Sequence, residues 1–180
     1  MGQRYVHFGR VEKFSVEELK SLSPKIKGLS CNSSKLFNPK LFNLFHMILR
    51  LEHIGIAVKN LEDSNAHFEK LLGIAPYKEE EVVSEHVKTS FLQTGEAKIE
   101  LLEATHPDSA IAKYLEKKPE GLHHIAFEVD DIYAEMERLR KEGFQLLNAE
   151  PKRGADNKLV CFVHPKSANG VLLELCQTIV

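Results

Sequence analysis

An internal repeat restricts the fold of this chain more than any other feature. LEHIGIAV at 51–58 returns as LHHIAFEV at 122–129, and the same spacing of 71 residues carries His53 to His124, Leu61 to Ile132 and Phe68 to Leu139. The order strand, helix, strand, strand, strand runs twice. A unit this short buries little core alone, so the two copies must pair and cover each other.

In the first copy Asn60 caps a helix to about Leu72, with Leu61, Phe68 and Leu72 on one face and Gly73 as its stop. Strands are expected near 74–80, 87–93 and 97–103. Asp108 then caps a linker helix at about 108–117, ended by Pro119 and Gly121. In the second copy Asp130 caps a helix to about Glu142, with Ile132, Met136 and Leu139 inward and Gly143 as its stop. Strands follow near 144–148, 158–164 and 170–177, with loops at 149–157 and 164–170. The modules therefore span about 50–103 and 121–177.

Composition narrows the class. With 43% hydrophobic and 28% charged residues, the chain is an ordinary globular one. No apolar run approaches the roughly 18–20 residues that cross a bilayer. A net charge of −2 argues against a nucleic-acid binder. Cys31, Cys161 and Cys176 lie far apart with no CxxC, which fits a reduced cytoplasmic compartment, or the mitochondrial matrix in a eukaryote. Charge divides the chain in two. Residues 1–46 hold eight Lys or Arg against three Glu, a net of +5; residues 47–180 hold sixteen against twenty-three acids, a net of −7. Residues 47–180 form the expected domain, and 1–46 an N-terminal extension whose order is left open. Ser15 and Glu18 have capping-box spacing for a short helix to about Leu22. The extension reads as a docked segment, a basic targeting leader, or sequence upstream of a start at Met47; the last is favoured.

Strand parity locates the chemistry. His53, Gly55 and Ala57 share one face, and Ile54, Ile56 and Val58 the other. In the second copy His124, Ala126 and Glu128 face away from Ile125, Phe127 and Val129. The bulky faces pack on the helices, so the histidine faces, lined by small residues, leave room. A lone strand histidine is more often a core or rim residue than a ligand; two at equivalent repeat positions reverse that weighting. The last strand of each copy adds a carboxylate on the histidine side, Glu100 in KIELL and Glu174 in VLLELC. An exposed edge-strand Glu is the plain alternative, but a carboxylate on an apolar strand is costly unless paired or metal-bound. His53, Glu100, His124 and Glu174 are thus expected to hold one divalent metal ion. Two imidazoles and two carboxylates suit Co2+, Mn2+, Ni2+, Zn2+ or Fe2+ rather than Ca2+, and the absence of thiolates argues against a structural zinc. Four ligands leave two octahedral positions for a substrate with two neighbouring oxygens.

At these residues the chain resembles the vicinal oxygen chelate superfamily, and within it the methylmalonyl-CoA epimerases. LEHIGIAVKNLE (51–62), KIELLEATHPDSAIAKYLEKKPEGLHHIAFEVDDI (98–132) and FVHPKSANGVLLELCQ (162–177) carry the likeness, the middle segment most specifically. The resemblance implies a glyoxalase-like α+β fold, two tandem βαβββ modules forming a curved mixed sheet around a metal cavity. It implies an isomerase of propionate metabolism that interconverts (R)- and (S)-methylmalonyl-CoA by α-proton abstraction and return through a metal-stabilised enolate. It also implies a homodimer and a divalent metal, with Co2+ favoured. The family's ligands fall on His53, Glu100, His124 and Glu174, and its ligand that is also a catalytic carboxylate falls on Glu174. Some members have Gln where this chain has Glu100. A second acid/base carboxylate of some members sits on the middle strand of the first module, where this chain places Lys88 within HVKTSF.

Inverting the carbon centre needs two acid/base groups. Glu174 is one; Lys88, Glu100 or a metal-bound water is the other, with Lys88 weighted towards a plain exposed strand lysine. His123 has the opposite parity to His124 and reads as a rim or supporting group. His67 and His86 read as surface residues. His164, Lys166, Lys152 and Arg153 lie in loops that could border the substrate or meet CoA phosphates, although such residues are more often solvated. The alternative readings are a glyoxalase I-type lyase and a metal-free binding module; an extradiol dioxygenase would need only three of the four ligands.

Overall fold

The computed structural model describes residues 48–179. The expectations for 1–46 and for a start at Met47 lie outside the described residues. The first copy of the repeat supplies β1 (Ile48–Val58), α1 (Leu61–Leu72), β2 (Lys78–Val82), β3 (Val87–Thr94) and β4 (Ala97–Ala104). A linker helix, α2 (Ala110–Leu115), leads to the second copy: β5 (Gly121–Val129), α3 (Ile132–Lys141), β6 (Lys152–Arg153), β7 (Lys158–Val163) and β8 (Leu173–Thr178).

All eight strands form one sheet in the order β2-β3-β4-β1-β5-β8-β7-β6. The order is a mirror about its middle, as a repeat demands. β1 runs parallel to β4 and β5 parallel to β8, each through a helical crossover, while β1 and β5 join the copies antiparallel. The fold is the expected glyoxalase-like α+β arrangement, a mixed sheet curled around a cavity lined by both modules.

Each helix covers the bulky face of its own module. Leu61 and Phe68 of α1 meet Val58, Leu92 and Leu101; Ile132, Met136 and Leu139 of α3 meet Val129, Cys161, Val163 and Leu175. Leu72, expected inward, is 40% exposed. The linker helix does something different. Its Ile111 packs on Ala57, Val87 and Leu102, which belong to the cavity face, so α2 closes one end of the cavity.

Caps and turns explain the remaining departures. Asn60 accepts from Asp63 N at 2.8 Å, and Gly73 ends α1 in the left-handed region at φ 71°. The caps of the other two helices are Ser109, not Asp108, and Asp131, not Asp130: their side chains accept from Ile111 N at 3.1 Å and Ala134 N at 3.0 Å. The strand expected near 74–80 begins only at Lys78, after Pro76, which has no N–H to donate. The one expected at 144–148 is reduced to a bridge between Leu146 and Val163, and β6 forms inside the supposed loop 149–157.

Candidate metal centre and active site

The sheet brings His53, Glu100, His124 and Glu174 from four different strands to one point. They are 5, 5, 3 and 5% exposed and all line a cavity of about 280 Å³. His53 Nε2 stands 2.9 Å from His124 Nε2 and 3.2 Å from Glu100 Oε2. His124 Nε2 is 3.4 Å from both Glu100 Oε2 and Glu174 Oε2, and His53 Nε2 is 4.0 Å from Glu174 Oε2. His53, His124 and Glu174 each offer a donor atom within 4.8 Å of the others. Two donors bound at right angles to one ion, each at about 2.1 Å, stand about 3 Å apart. The imidazole pair has that spacing, and the donor types suit a first-row divalent ion.

Register explains the convergence. Across the β1–β5 seam His53 pairs with Ala126 and Gly55 with His124, so each ring lies over a small residue of the other copy. Glu100 sits beside Gly55 and Glu174 beside Ala126 on the parallel pairs. The room is real at Gly55: a Cβ built there falls 2.6 Å from His124 Nε2 and closer still to Cε1 and Nδ1.

Electrostatics bind the group further. Burial pulls His53 down, but Glu100, Glu52 and Glu174 outweigh it and raise its pKa to about 10. Burial opposes ionisation of Glu100, yet the two imidazoles beside it hold its carboxyl well below the usual range. Glu174 is instead raised, by burial first, despite its nearby histidines. Thr89 Oγ1 donates to Glu100 Oε1 at 2.9 Å, so Oε2 is the atom left facing the imidazoles.

Simple alternation misses two residues because both sit on β-bulges. Pairing between β1 and β5 steps from Leu51–Phe127 to His53–Ala126, leaving Glu52 extra on β1. It then steps from Gly55–His124 to Ile56–Leu122, leaving His123 extra on β5. Both side chains turn into the cavity. Glu52, 1% exposed, takes His53 Nδ1 at 2.6 Å and forms ion pairs with Lys98 and, at 3.2 Å, Lys158. Burial opposes its charge, but His53 and Lys98 bring its pKa to about 2. His123 Nδ1 lies 3.0 Å from His124 Nδ1, and burial followed by the His124 charge lowers its pKa to about 4. A signal was present in the sequence: the offset of 71 that relates the two histidines also relates Glu52 to His123.

Lys88 is not in the site. It is exposed on the outer face, with Nζ 3.2 Å from Glu79 Oε2. Its neighbour Thr89, fully buried, occupies the cavity face of β3 because successive strand residues alternate. Lys88 Nζ is therefore turned away from the cavity that the four expected ligands line. Lys152 and Arg153 line the cavity, whereas His164 and Lys166 form a separate turn in which His164 Nδ1 accepts from Lys166 N at 3.0 Å. His67 and His86 are exposed, as expected.

Residues 52–162 match the family model described as the glyoxalase/bleomycin resistance protein/dioxygenase superfamily, and the chain belongs to that superfamily. Within it the chain belongs to the methylmalonyl-CoA epimerase family of enzymes. It is 44% identical to the human mitochondrial methylmalonyl-CoA epimerase over 130 residues, 71% of this chain and 73% of that one. It is 43% identical to the ethylmalonyl-CoA/methylmalonyl-CoA epimerase of Cereibacter sphaeroides over 133 residues, 73% of this chain and 99% of that one. A variant of the Streptomyces coelicolor methylmalonyl-CoA epimerase, solved with 2-nitronate-propionyl-CoA, superposes with a TM-score of 0.72 at 34% identity over 74% of this chain and 100% of that one. A methylmalonyl-CoA epimerase solved with methylmalonyl-CoA and NH4+ gives the same score and identity over 74% of this chain and 97% of that one.

Proposed function

We propose that this protein interconverts (R)- and (S)-methylmalonyl-CoA, with His53, Glu100, His124 and Glu174 holding one divalent ion, Co2+ favoured over Mn2+, Ni2+ or Zn2+. The observation that carries the reading is the convergence of two imidazoles and two carboxylates, all buried, inside one cavity. An ion there supplies a Lewis acid for the negative charge that develops on the thioester oxygen.

The protein groups divide the remaining work. Glu174 is our candidate base. Glu52 holds His53, His123 holds His124 and Thr89 holds Glu100. Among the described residues, the polar groups paired with the Glu174 carboxylate within 4.0 Å are only the two histidines. An oxygen not tied to an outside donor is free to take a proton. Inversion needs a second acid/base group, and Glu100, which lines the same cavity from the other module, is the protein candidate for it beside a metal-bound water. Apolar cavity residues such as Phe91, Val160 and Phe162 keep water from the carbanionic centre.

The test is α-proton exchange of methylmalonyl-CoA in D2O with metal-loaded protein, after chelation, and after Co2+ is returned. Exchange lost on chelation and restored with Co2+ is expected; its absence from the loaded protein overturns the proposal. Glu174→Gln should slow exchange by about 10²–10⁴-fold, the worth of a positioned base. Ethylmalonyl-CoA belongs in the same assay, given the name of the Cereibacter relative. We further propose a homodimer in a reduced, cytoplasmic or matrix compartment. Leu51, 38% exposed, and the half-buried Ile54, Ile125 and Phe127 lie outside the clusters beneath α1 and α3, an apolar strip that a second copy would cover.

A further inference from the structure

We infer that His123 is a positioning residue, which accepts the Nδ1 proton of His124 at its own Nδ1 and so leaves His124 Nε2 as a lone-pair donor. The inference rests on the metal-centre reading above. Two Nδ1 atoms 3.0 Å apart share one proton: one ring donates and the other accepts. If His124 accepted, its Nε2 would carry hydrogen and would not ligate. If His124 donates, its Nε2 presents a lone pair towards His53, Glu100 and Glu174.

The fold builds this contact twice. In each copy one residue is bulged out immediately before the histidine, 71 positions apart, and its side chain meets that histidine's Nδ1. The first copy uses a carboxylate, Glu52, and the second an imidazole, His123. The His123 ring is held in place by Tyr114 of α2, edge to face at 5.1 Å between centroids, and Tyr114 Oη donates to Leu122 O at 2.8 Å. The two imidazoles are therefore unequal. A carboxylate partner makes His53 the more basic donor, while a neutral ring holds His124 without adding a second negative charge.

Co2+ titration of the full chain, followed by absorbance, tests the inference beside thermal unfolding of the metal-free protein. His123→Leu should weaken Co2+ binding by about 10–100-fold, the usual effect of removing an outer partner. His123→Asn, whose Oδ1 can take the place of the imidazole Nδ1, should keep it within a few-fold. In the Zn2+-loaded wild type, 15N NMR should find His124 protonated at Nδ1 and His123 at Nε2. Unchanged Co2+ binding by His123→Leu, or the opposite tautomers, overturns the inference. So does an Asn variant that falls as far as the Leu variant with its metal-free unfolding temperature unchanged. Should the Leu variant fail to fold, the Asn variant and the tautomers decide. Wild-type protein that binds no Co2+ or Zn2+ would instead overturn the metal centre itself, a different result.

Discussion

At the scale of single residues, the centre depends on a side chain that is missing. The His124 ring fills the space a Gly55 Cβ would take. Gly55→Ala should therefore displace the ring, lower stability by about 1–3 kcal/mol as overpacking does, and weaken Co2+ binding by more than about tenfold. Calorimetry and metal titration check both. One position along β3 decides another question. Lys88 points outward to Glu79 while Thr89 holds Glu100, so Lys88→Ala should leave the exchange rate within about twofold of wild type, as for a surface change away from the site. A loss of rate in that variant would return Lys88 to the mechanism.

Caps, bulges and a loop carry the argument at the scale of elements. Asp131 is the cap of α3, and Asp131→Ala should cost about 1 kcal/mol in denaturant unfolding, more than Asp130→Ala. The residue 71 positions after Asn60 is Asp131, so the repeat itself points to Asp131 rather than to the expected Asp130 as the cap. The segment before β7 crosses from the second module to the first. Asp156 accepts from Tyr77 Oη at 2.9 Å, from Lys78 Nζ at 3.2 Å and from Lys98 Nζ at 2.8 Å, while Lys152 reaches Glu85 at 2.6 Å. These contacts hold the cavity wall shut along one side. Asp156→Ala should cost about 1–3 kcal/mol and make the segment around 150–157 more accessible to proteolysis. Unchanged proteolysis would mean that packing rather than charge holds the wall.

For the whole molecule, the proposed centre would link stability, metal and pH. In the metal-free protein the His53 pKa is raised from 6.5 to about 10. Its contribution to stability is full below about pH 6.5 and is lost as pH rises through 10, so the metal-free protein should weaken over that range. A ligating His53 must be deprotonated. Metal loading near pH 7 should then release a proton, and affinity should climb with pH. Calorimetric titration with Co2+ in two buffers of different ionisation enthalpy measures the release; none at all would contradict a protonated His53. On the acid side Glu52, depressed from 4.5 to about 2, contributes stability above pH 4.5 that is lost as pH falls through 2. Because the donors come from both modules, bound metal should raise the melting temperature of the described domain as one unit.

Much of this was legible in the sequence, for a definite reason. Period-2 strands and period-3.6 helices are local patterns, and a repeat doubles each signal. Hence the two modules, the helix faces of Leu61, Phe68, Ile132 and Met136, and the inward aim of His53, Glu100, His124 and Glu174 were all expected. What local pattern does not contain is the register between distant strands. A bulge exists only where β1 meets β5, so the inward turn of Glu52 depends on that seam, and so does the contact by which His123, expected as a rim or supporting group, meets His124. The outward turn of Lys88, by contrast, agrees with the exposed strand lysine expected from the alternation of VKTSF, since β3 begins at Val87 as expected. The sequence by itself determined the four inward side chains; the tertiary pairing decided which neighbours hold them, because one extra residue in a ladder reverses the side to which a strand residue points.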